Sequence, residues 1–166
     1  MIFIPPISCK GIIEVKSNIR KNSLTDILNS LSEKAEFVLD TEPHLSLFVG
    51  LFSYDTNYDE TDSDAILNAL RNSANGNQKR VVNHVTLGKS IFAKYWEINP
   101  ITQDENYNSW HTYRLRNKSV GYFLHNLMSY IADKRLIGNE NVWFPEGGKE
   151  GNGKESRKLG NIALNA

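Results

Sequence analysis

The apolar and polar positions of this chain repeat with two different periods, which together predict both strands and helices. Alternating or β-branched runs favour strands, because successive side chains of a strand point to opposite faces of a sheet. Two of these runs are separated only by the tight connection at 88–90, which predicts a hairpin. The predicted strands are residues 11–16, 42–50, 81–88, 91–98 and 142–144, with a short additional one at 36–39.

Apolar residues spaced three and four positions apart predict three helices. The first begins at the capping-box pattern of residues 23–26 and carries its apolar stripe to Ala35. The second begins at a similar pattern at 61–64 and ends near Gly76. The third and longest spans 109–135. The resulting order, β-α-β-α-β-β-α-β, predicts an α+β fold in which helices pack on one or two largely antiparallel sheets.

The length and the composition of the chain predict a single domain followed by a tail. A chain of 166 residues is long enough to bury one core. Residues 147–160 are rich in Gly, Lys and Glu and poor in apolar residues, which is typical of a loop outside a core. We therefore expect an α+β domain over residues 1–146 and a C-terminal loop or tail over 147–166.

Charge and cysteine content argue against several classes of protein. The 19 Lys and Arg residues balance 19 Asp and Glu residues, so we expect no binding to a long nucleic-acid duplex or to an anionic membrane. Cys9 is the only cysteine, which excludes a disulfide framework and a cysteine-based zinc site. No apolar run is long enough to span a bilayer, and the first residues lack the basic segment of a signal peptide. We therefore expect a cytoplasmic protein.

Two short patterns look like metal-binding or nucleotide-binding loops, but each lacks residues that the chemistry needs. Residues 55–59 space oxygen ligands as a calcium loop does, yet Glu60 stands where that loop needs Gly. Residues 148–154 match the Gly-x4-Gly-Lys of a phosphate-binding loop, yet Glu155 replaces the Ser or Thr that holds magnesium. The sequence therefore predicts neither a metal site nor a cofactor.

One motif occurs twice and pairs a histidine with a hydroxyl two positions later. His44 is followed by Ser46, and forty residues further along His84 is followed by Thr86. On a strand, residues two apart share a face, so each imidazole would point the same way as its hydroxyl. One imidazole can take a proton while the other gives one to a leaving oxygen, and the hydroxyls can donate to phosphate oxygens. The motif predicts a metal-independent phosphate site.

Residues 44–47 and 84–87 resemble the paired His-apolar-Ser/Thr-apolar motifs of the 2H phosphoesterase superfamily. That superfamily includes cyclic nucleotide phosphodiesterases and RNA 2′,5′ ligase-like proteins. The resemblance implies a two-lobed fold whose cleft holds both imidazoles, with cyclic phosphates or 2′,5′ linkages as substrates and no cofactor. It also implies that His44 and His84 are the acid/base pair, and that Ser46 and Thr86 bind the phosphate.

The second motif stands earlier in this chain than in the superfamily, where it follows the second long helix. By topology that later place belongs to residues 144–148, where Glu146 replaces the His and Gly148 replaces the hydroxyl. Three explanations stay open: the site has been rebuilt with His84, the true second motif is lost and the protein binds without cutting, or two short patterns coincide.

The sequence therefore predicts a hydrolase, a metal-independent phosphodiesterase acting on a cyclic nucleotide or an RNA end. Tyr54 and Tyr95 are candidates to stack on a substrate base. His111 and His125 are interpreted as structural or solvent-facing, because neither has Ser or Thr two positions later. The alternative is a non-catalytic binding or interaction protein, with the acidic loop at 55–64 or the charged tail at 149–158 as its contact surface.

Overall fold

The computed structural model describes residues 8–131 and 157–165. Their helices and strands follow the predicted order as far as the second strand of the hairpin, after which a further strand precedes the third helix. They include three α-helices and three single turns of 3-10 helix. The strands are β1 (Gly11–Ile19), β2 (Phe48–Thr56), β3 (His84–Leu87), β4 (Ile91–Trp96), β5 (Ser109–Arg114) and β6 (Arg157–Ala163). The helices are α1 (Leu24–Thr41), α2 (Ser63–Ala74) and α3 (Ser119–Ile131), and the 3-10 turns are Glu60–Asp62, Gln78–Arg80 and Arg116–Lys118.

The six strands form one mixed sheet in the order β1-β2-β3-β4-β5-β6. The first three strands run parallel, joined by α1 and α2, and the last three add antiparallel neighbours. Three of the five pairings are therefore antiparallel, and the predicted α+β class with its largely antiparallel sheet is confirmed. The described strands all belong to this single sheet, so this part of the chain does not form two lobes.

Helices cover both faces of the sheet because its strands alternate apolar side chains. In β2, Val49 and Leu51 join the core under α1 and α2, whereas Phe48 joins the core under α3. The face that carries α1 and α2 is called the α1 face below, and the opposite one the α3 face. The α3 face is rich in buried aromatic rings, which are Phe48, Phe92, Tyr113, Tyr122 and Phe123.

The predicted starts of the first two helices are confirmed, although neither predicted capping box forms. Ser23 precedes α1, but its hydroxyl donates to the Arg20 carbonyl at 2.9 Å instead of capping the helix. A capping box does form in the 3-10 turn that precedes α2. The Asp59 carboxylate accepts a hydrogen bond from the backbone of this turn, and the Asp62 carboxylate accepts one from the Asp59 N–H. The predicted hairpin is also confirmed as β3 and β4.

The predicted helix at 109–135 is wrong in its first third. Ser109–Arg114 is strand β5, and α3 begins only at Ser119. The alternation within β5 explains this, because Trp110 contributes to the core on the α1 face while Tyr113 contributes to the core on the α3 face. The end of the predicted helix lies outside the described residues.

The boundaries of β2 also differ from the prediction. Residues 42–47 precede the strand, because the chain turns after α1 through a Leu45 N–H to Glu42 carbonyl bond of 3.1 Å. The strand then continues to Thr56, into the region predicted as acidic loop. The predicted short strand at 36–39 is wrong, since those residues lie within α1.

Part of the predicted C-terminal tail belongs to the sheet. Arg157–Ala163 pairs with β5 as the sixth strand, and the neighbouring Leu164 is buried in the core. A loop or tail is therefore the wrong prediction for these residues. The remaining predictions for 142–144 and 147–156 lie outside the described residues.

Candidate functional site

The first predicted pair, His44 and Ser46, lies on the surface in the connection between α1 and β2. Both side chains are exposed. Because the strand begins only at Phe48, the period of two that would align an imidazole with a hydroxyl does not apply at these positions. The prediction that this pair lies on one face of a strand is therefore wrong.

The second predicted pair is buried. His84 opens β3 with 1 % of its surface exposed, and its ring stacks on Phe48 with centroids 4.6 Å apart. The ring of Tyr130 in α3 packs edge-on against the same imidazole, with centroids 5.9 Å apart. Thr86, two residues on, is fully buried and its hydroxyl donates to the Ser119 carbonyl at 3.3 Å. His84 and Thr86 share a face as predicted, but α3 covers that face.

Hydrogen bonds fix the tautomer of His84. The Asn83 amide donates to the Leu47 carbonyl at 2.9 Å, which leaves its Oδ1 to accept from the Val49 N–H and from His84 Nδ1 at 2.7 Å. The proton of the neutral ring therefore sits on Nδ1. Nε2 keeps its lone pair, and no described residue donates a hydrogen bond to it.

The surroundings of His84 disfavour its charged form. Burial lowers the pKa of His84 well below its usual value, and the ammonium of Lys94 on the neighbouring strand lowers it further. Asn126 opposes this shift, but its amide is engaged with the Tyr122 carbonyl and with Lys94 Nζ at 2.6 Å. His84 is therefore a neutral, oriented imidazole without access to solvent.

The two candidate stacking residues lie apart from each other. Tyr54 on β2 is 67 % exposed, whereas Tyr95 on β4 is buried in the core on the α1 face, opposite His84. The Tyr95 hydroxyl lies 2.9 Å from Gln78 Oε1, and burial raises the pKa of Tyr95 to about 12. Of the six predicted site residues, the structure thus brings only His84 and Thr86 together.

A row of polar residues crosses the α3 face, and apart from His84 the sequence-based prediction missed its members. His84, Lys94, His111 and Asn161 stand directly opposite one another on β3, β4, β5 and β6. His111 is buried, with Nδ1 2.9 Å from the Tyr113 hydroxyl and Nε2 2.7 Å from the Tyr107 hydroxyl. The alternation of residues 109–114 was the available signal, because it places His111 on a strand.

Aromatic rings pack around Lys94 and His111 in this row, whereas Asn161 at its β6 end is exposed. Lys94 Nζ lies 4.0 Å from the centroid of the Trp96 ring, an arrangement that stabilises a cation. Trp96 Nε1 in turn donates to the Tyr113 hydroxyl at 3.0 Å. An imidazole that takes a proton from a substrate must approach it within about 3 Å. In this conformation His84 is an oriented base, but it is buried and no substrate can reach it.

The outer edge of β1 contrasts with this enclosed centre. β1 is the first strand of the sheet and pairs only with β2 among the described strands. Its side chains on the α3 face include Ile13 and Val15, and Val15 is 55 % exposed. Further exposed apolar residues on the same side of the sheet are Tyr54 of β2 and Leu124, Met128 and Ile131 of α3.

The opposite face of β1 borders an apolar groove under α1. The groove has a volume of about 490 Å³ and lies between Ile12 of β1 and Val38 of α1. Phe37 stands at its rim and is 72 % exposed. The edge strand therefore has apolar surface on both of its faces.

A second cleft lies at the carboxyl ends of β2 and β3, beside the predicted acidic loop. It has a volume of about 460 Å³ and includes Asp55, Asp59 and Glu60. These carboxylates are already engaged: Glu60 binds Arg114 and Arg157, and hydrogen bonds from Thr61 lower the pKa of Asp59. No group of His, Cys, Asp and Glu side chains in the described parts of the chain is arranged to hold a metal ion.

Comparisons with family models, with curated proteins and with solved structures found no match to this chain. The resemblance to the 2H phosphoesterase superfamily therefore stays a prediction. Within residues 8–131 and 157–165, none of the helices combines the length and the apolar character needed to cross a bilayer.

Proposed function

We propose that this chain is a non-catalytic interaction protein that binds a partner along the outer edge of β1. The observation that carries the proposal is a nine-residue strand at the edge of the sheet formed by the described residues, with exposed apolar side chains. An edge strand presents a row of N–H and C=O groups, which an added strand can pair with. Exposed apolar side chains beside that row supply the burial that makes such pairing stable.

The other edge of the sheet, β6, supports this reading because it has the features of an edge that avoids pairing. Its seven residues include exposed Arg157, Lys158 and Asn161, whereas its partly buried Leu159 and Ile162 face the core. Proteins commonly protect edges with charged side chains, lysine above all. On the α3 face β1 has Ile13 and Val15 in the equivalent outward positions.

The phosphodiesterase prediction is the second candidate function, and it requires a conformation different from this one. Two imidazoles must reach opposite sides of one phosphate, whereas His84 is buried beneath α3 and His44 is exposed before β2. Assays of 2′,3′-cyclic nucleotide hydrolysis with chelator present test it directly. Activity that disappears in both His44→Ala and His84→Ala would restore the enzyme proposal.

The interaction proposal is tested by selecting peptides from a displayed random library on the immobilised protein. We expect selected peptides to have alternating apolar residues, because added strands bury every second side chain. Val15→Lys should abolish their binding. Ile101→Lys is the matched control, since Ile101 is another exposed apolar residue, in the loop between β4 and β5. Peptides that bind both variants equally would refute β1 as the binding edge.

A further inference from the structure

We propose that the partner of β1 is a second copy of this chain, paired antiparallel so that Val15 faces Val15 of the other copy. This inference rests on the proposed function, because it names the occupant of the same edge. It follows from how charged and apolar residues divide between the two faces of β1.

The charged residues of β1 lie on its α1 face. Glu14 Oε1 is 2.8 Å from Lys16 Nζ, and Glu14 Oε2 is 3.2 Å from Lys34 of α1. Hydrogen bonds from Lys16 and then Lys34 hold the pKa of Glu14 below its usual value. The α1 face of the strand therefore carries one negative and one positive charge, two residues apart, while Ile13 and Val15 occupy the α3 face.

This charge pattern is self-complementary in one antiparallel register. With Val15 at the centre, Glu14 of each copy stands opposite Lys16 of the other, so both charged pairs are favourable. Shifting the centre to Glu14 sets two carboxylates opposite each other, and shifting it to Lys16 sets two ammonium groups opposite each other. Directly opposed like charges destabilise strand pairing, so the pattern favours the register centred on Val15.

The same register also fixes the symmetry of the pair and brings the two Val15 side chains together. A two-fold axis midway between the two Val15 residues and perpendicular to the sheet keeps both α1 helices on the same side of the joined sheet. Ile12 of each copy then stands opposite Asn18 of the other, so the two grooves lie on the same side of the joined sheet, one on either side of the axis along the strands. On the opposite face the two Val15 side chains meet directly, at the short distance typical of opposed residues in neighbouring strands.

The test combines charge reversal with mixing, and sedimentation velocity measures the mass. We expect the unmodified protein to be a dimer. Glu14→Lys alone and Lys16→Glu alone should each be monomeric, because each opposes like charges at both pairs. An equimolar mixture of the two variants should form a dimer, since every Lys then meets a Glu. The strain that each substitution adds within its own chain persists in the mixture, so recovery reports pairing between chains.

Each other outcome has a definite meaning. An unmodified protein that stays monomeric overturns the inference, and Glu14 and Lys16 are then charges that protect the edge. A dimer that neither variant weakens, or that mixing does not restore, also overturns it. If the protein is monomeric but selected peptides still require Val15, only the identity of the partner is wrong. If neither holds, the proposed function fails as well.

Discussion

The centre of the sheet and its β1 edge are built from similar residues but differ in what covers them. At the centre, Phe48 packs against His84 and against Phe123 of α3, and all three side chains are buried. At the edge, Phe37 and Val15 project into solvent. A histidine in a motif-like setting can thus belong to the core, whereas the surface proposed here for binding lies where apolar side chains of the described residues are exposed.

The largest expected effect is on the free energy of unfolding, when one phenylalanine from each region is replaced by alanine. Phe48→Ala should lower the free energy of unfolding by roughly 3–5 kcal/mol, because it removes a fully buried ring and leaves a cavity. Phe37→Ala should change it by less than about 0.5 kcal/mol, because that ring is already exposed. Urea unfolding measures both. Similar losses in the two variants would show that Phe37 is covered in solution and would contradict the comparison.

A glycine pair tests how closely α3 packs on the centre. A Cβ at Gly50 would lie 2.5 Å from Phe48 Cε1 and 2.7 Å from Phe123 Cζ, so Gly50→Ala should cost about 1–3 kcal/mol. Gly121→Ala is the control, because its Cβ meets nothing within 4 Å and alanine favours the helix by about 0.5–1 kcal/mol. A tolerated Gly50→Ala in the same unfolding experiment would mean that α3 does not lie this close to β2.

The buried His84 makes stability depend on pH. Its pKa in the folded protein lies below the value of about 6.5 in the unfolded chain, so the unfolded state binds the extra proton first. Its contribution is complete above pH of about 6.5 and is lost as the pH falls below that value, by at most about 1.4 kcal/mol per pH unit.

Two measurements separate His84 from other titrating groups. In His84→Gln the loss of unfolding free energy between pH of about 7 and about 5 should be smaller than in the unmodified protein. The NMR resonances of the His84 ring should still report the neutral form below pH of about 6.5. A ring that protonates at or above that pH would show that His84 is accessible, and would reopen the acid/base role.

The smallest expected effect on stability belongs to the edge. Val15→Lys should change the free energy of unfolding of the monomer by less than about 0.5 kcal/mol, because a side chain this exposed has little packing to lose. The variant should nevertheless lose pairing along β1. A large loss of monomer stability in dilute solution would instead assign Val15 to the core.

The sequence was sufficient to predict those elements whose apolar period is unbroken. Residues of α1 such as Leu24, Leu28 and Leu31 are all buried on one face, as a period of 3.6 predicts. The prediction missed β5 because the apolar stripe of α3 follows it closely. The predicted helix therefore included the residues of β5, although apolar and polar positions alternate there. The prediction missed β6 because Gly160 and two basic residues interrupt the alternation of apolar and polar positions in this strand. The alternation becomes recognisable only from the pairing with β5, where Thr112 stands opposite Gly160 and Trp110 opposite Ile162.

The candidate site was harder to predict because burial is a tertiary property. The sequence correctly placed His84 and Thr86 on one face of a strand, but no local pattern indicates that Tyr130 and Phe123 cover that face. The prediction for His44 was wrong for a local reason. Pro43 follows the end of α1, and the chain turns there before the strand starts. The position of β1 at the edge of the described sheet depends on the order of the strands, which periodicity alone does not determine.

Hydrogen–deuterium exchange of the β1 amides tests the central claim most directly, namely that the edge of β1 is the surface that this protein pairs through. Amide protection reports which strand gains hydrogen bonds. The account predicts that exchange at residues 11–19 slows as protein concentration rises, or when a peptide whose binding requires Val15 is added, while exchange in β3–β5 stays unchanged. Exchange at residues 11–19 that is identical under all of these conditions would contradict the account.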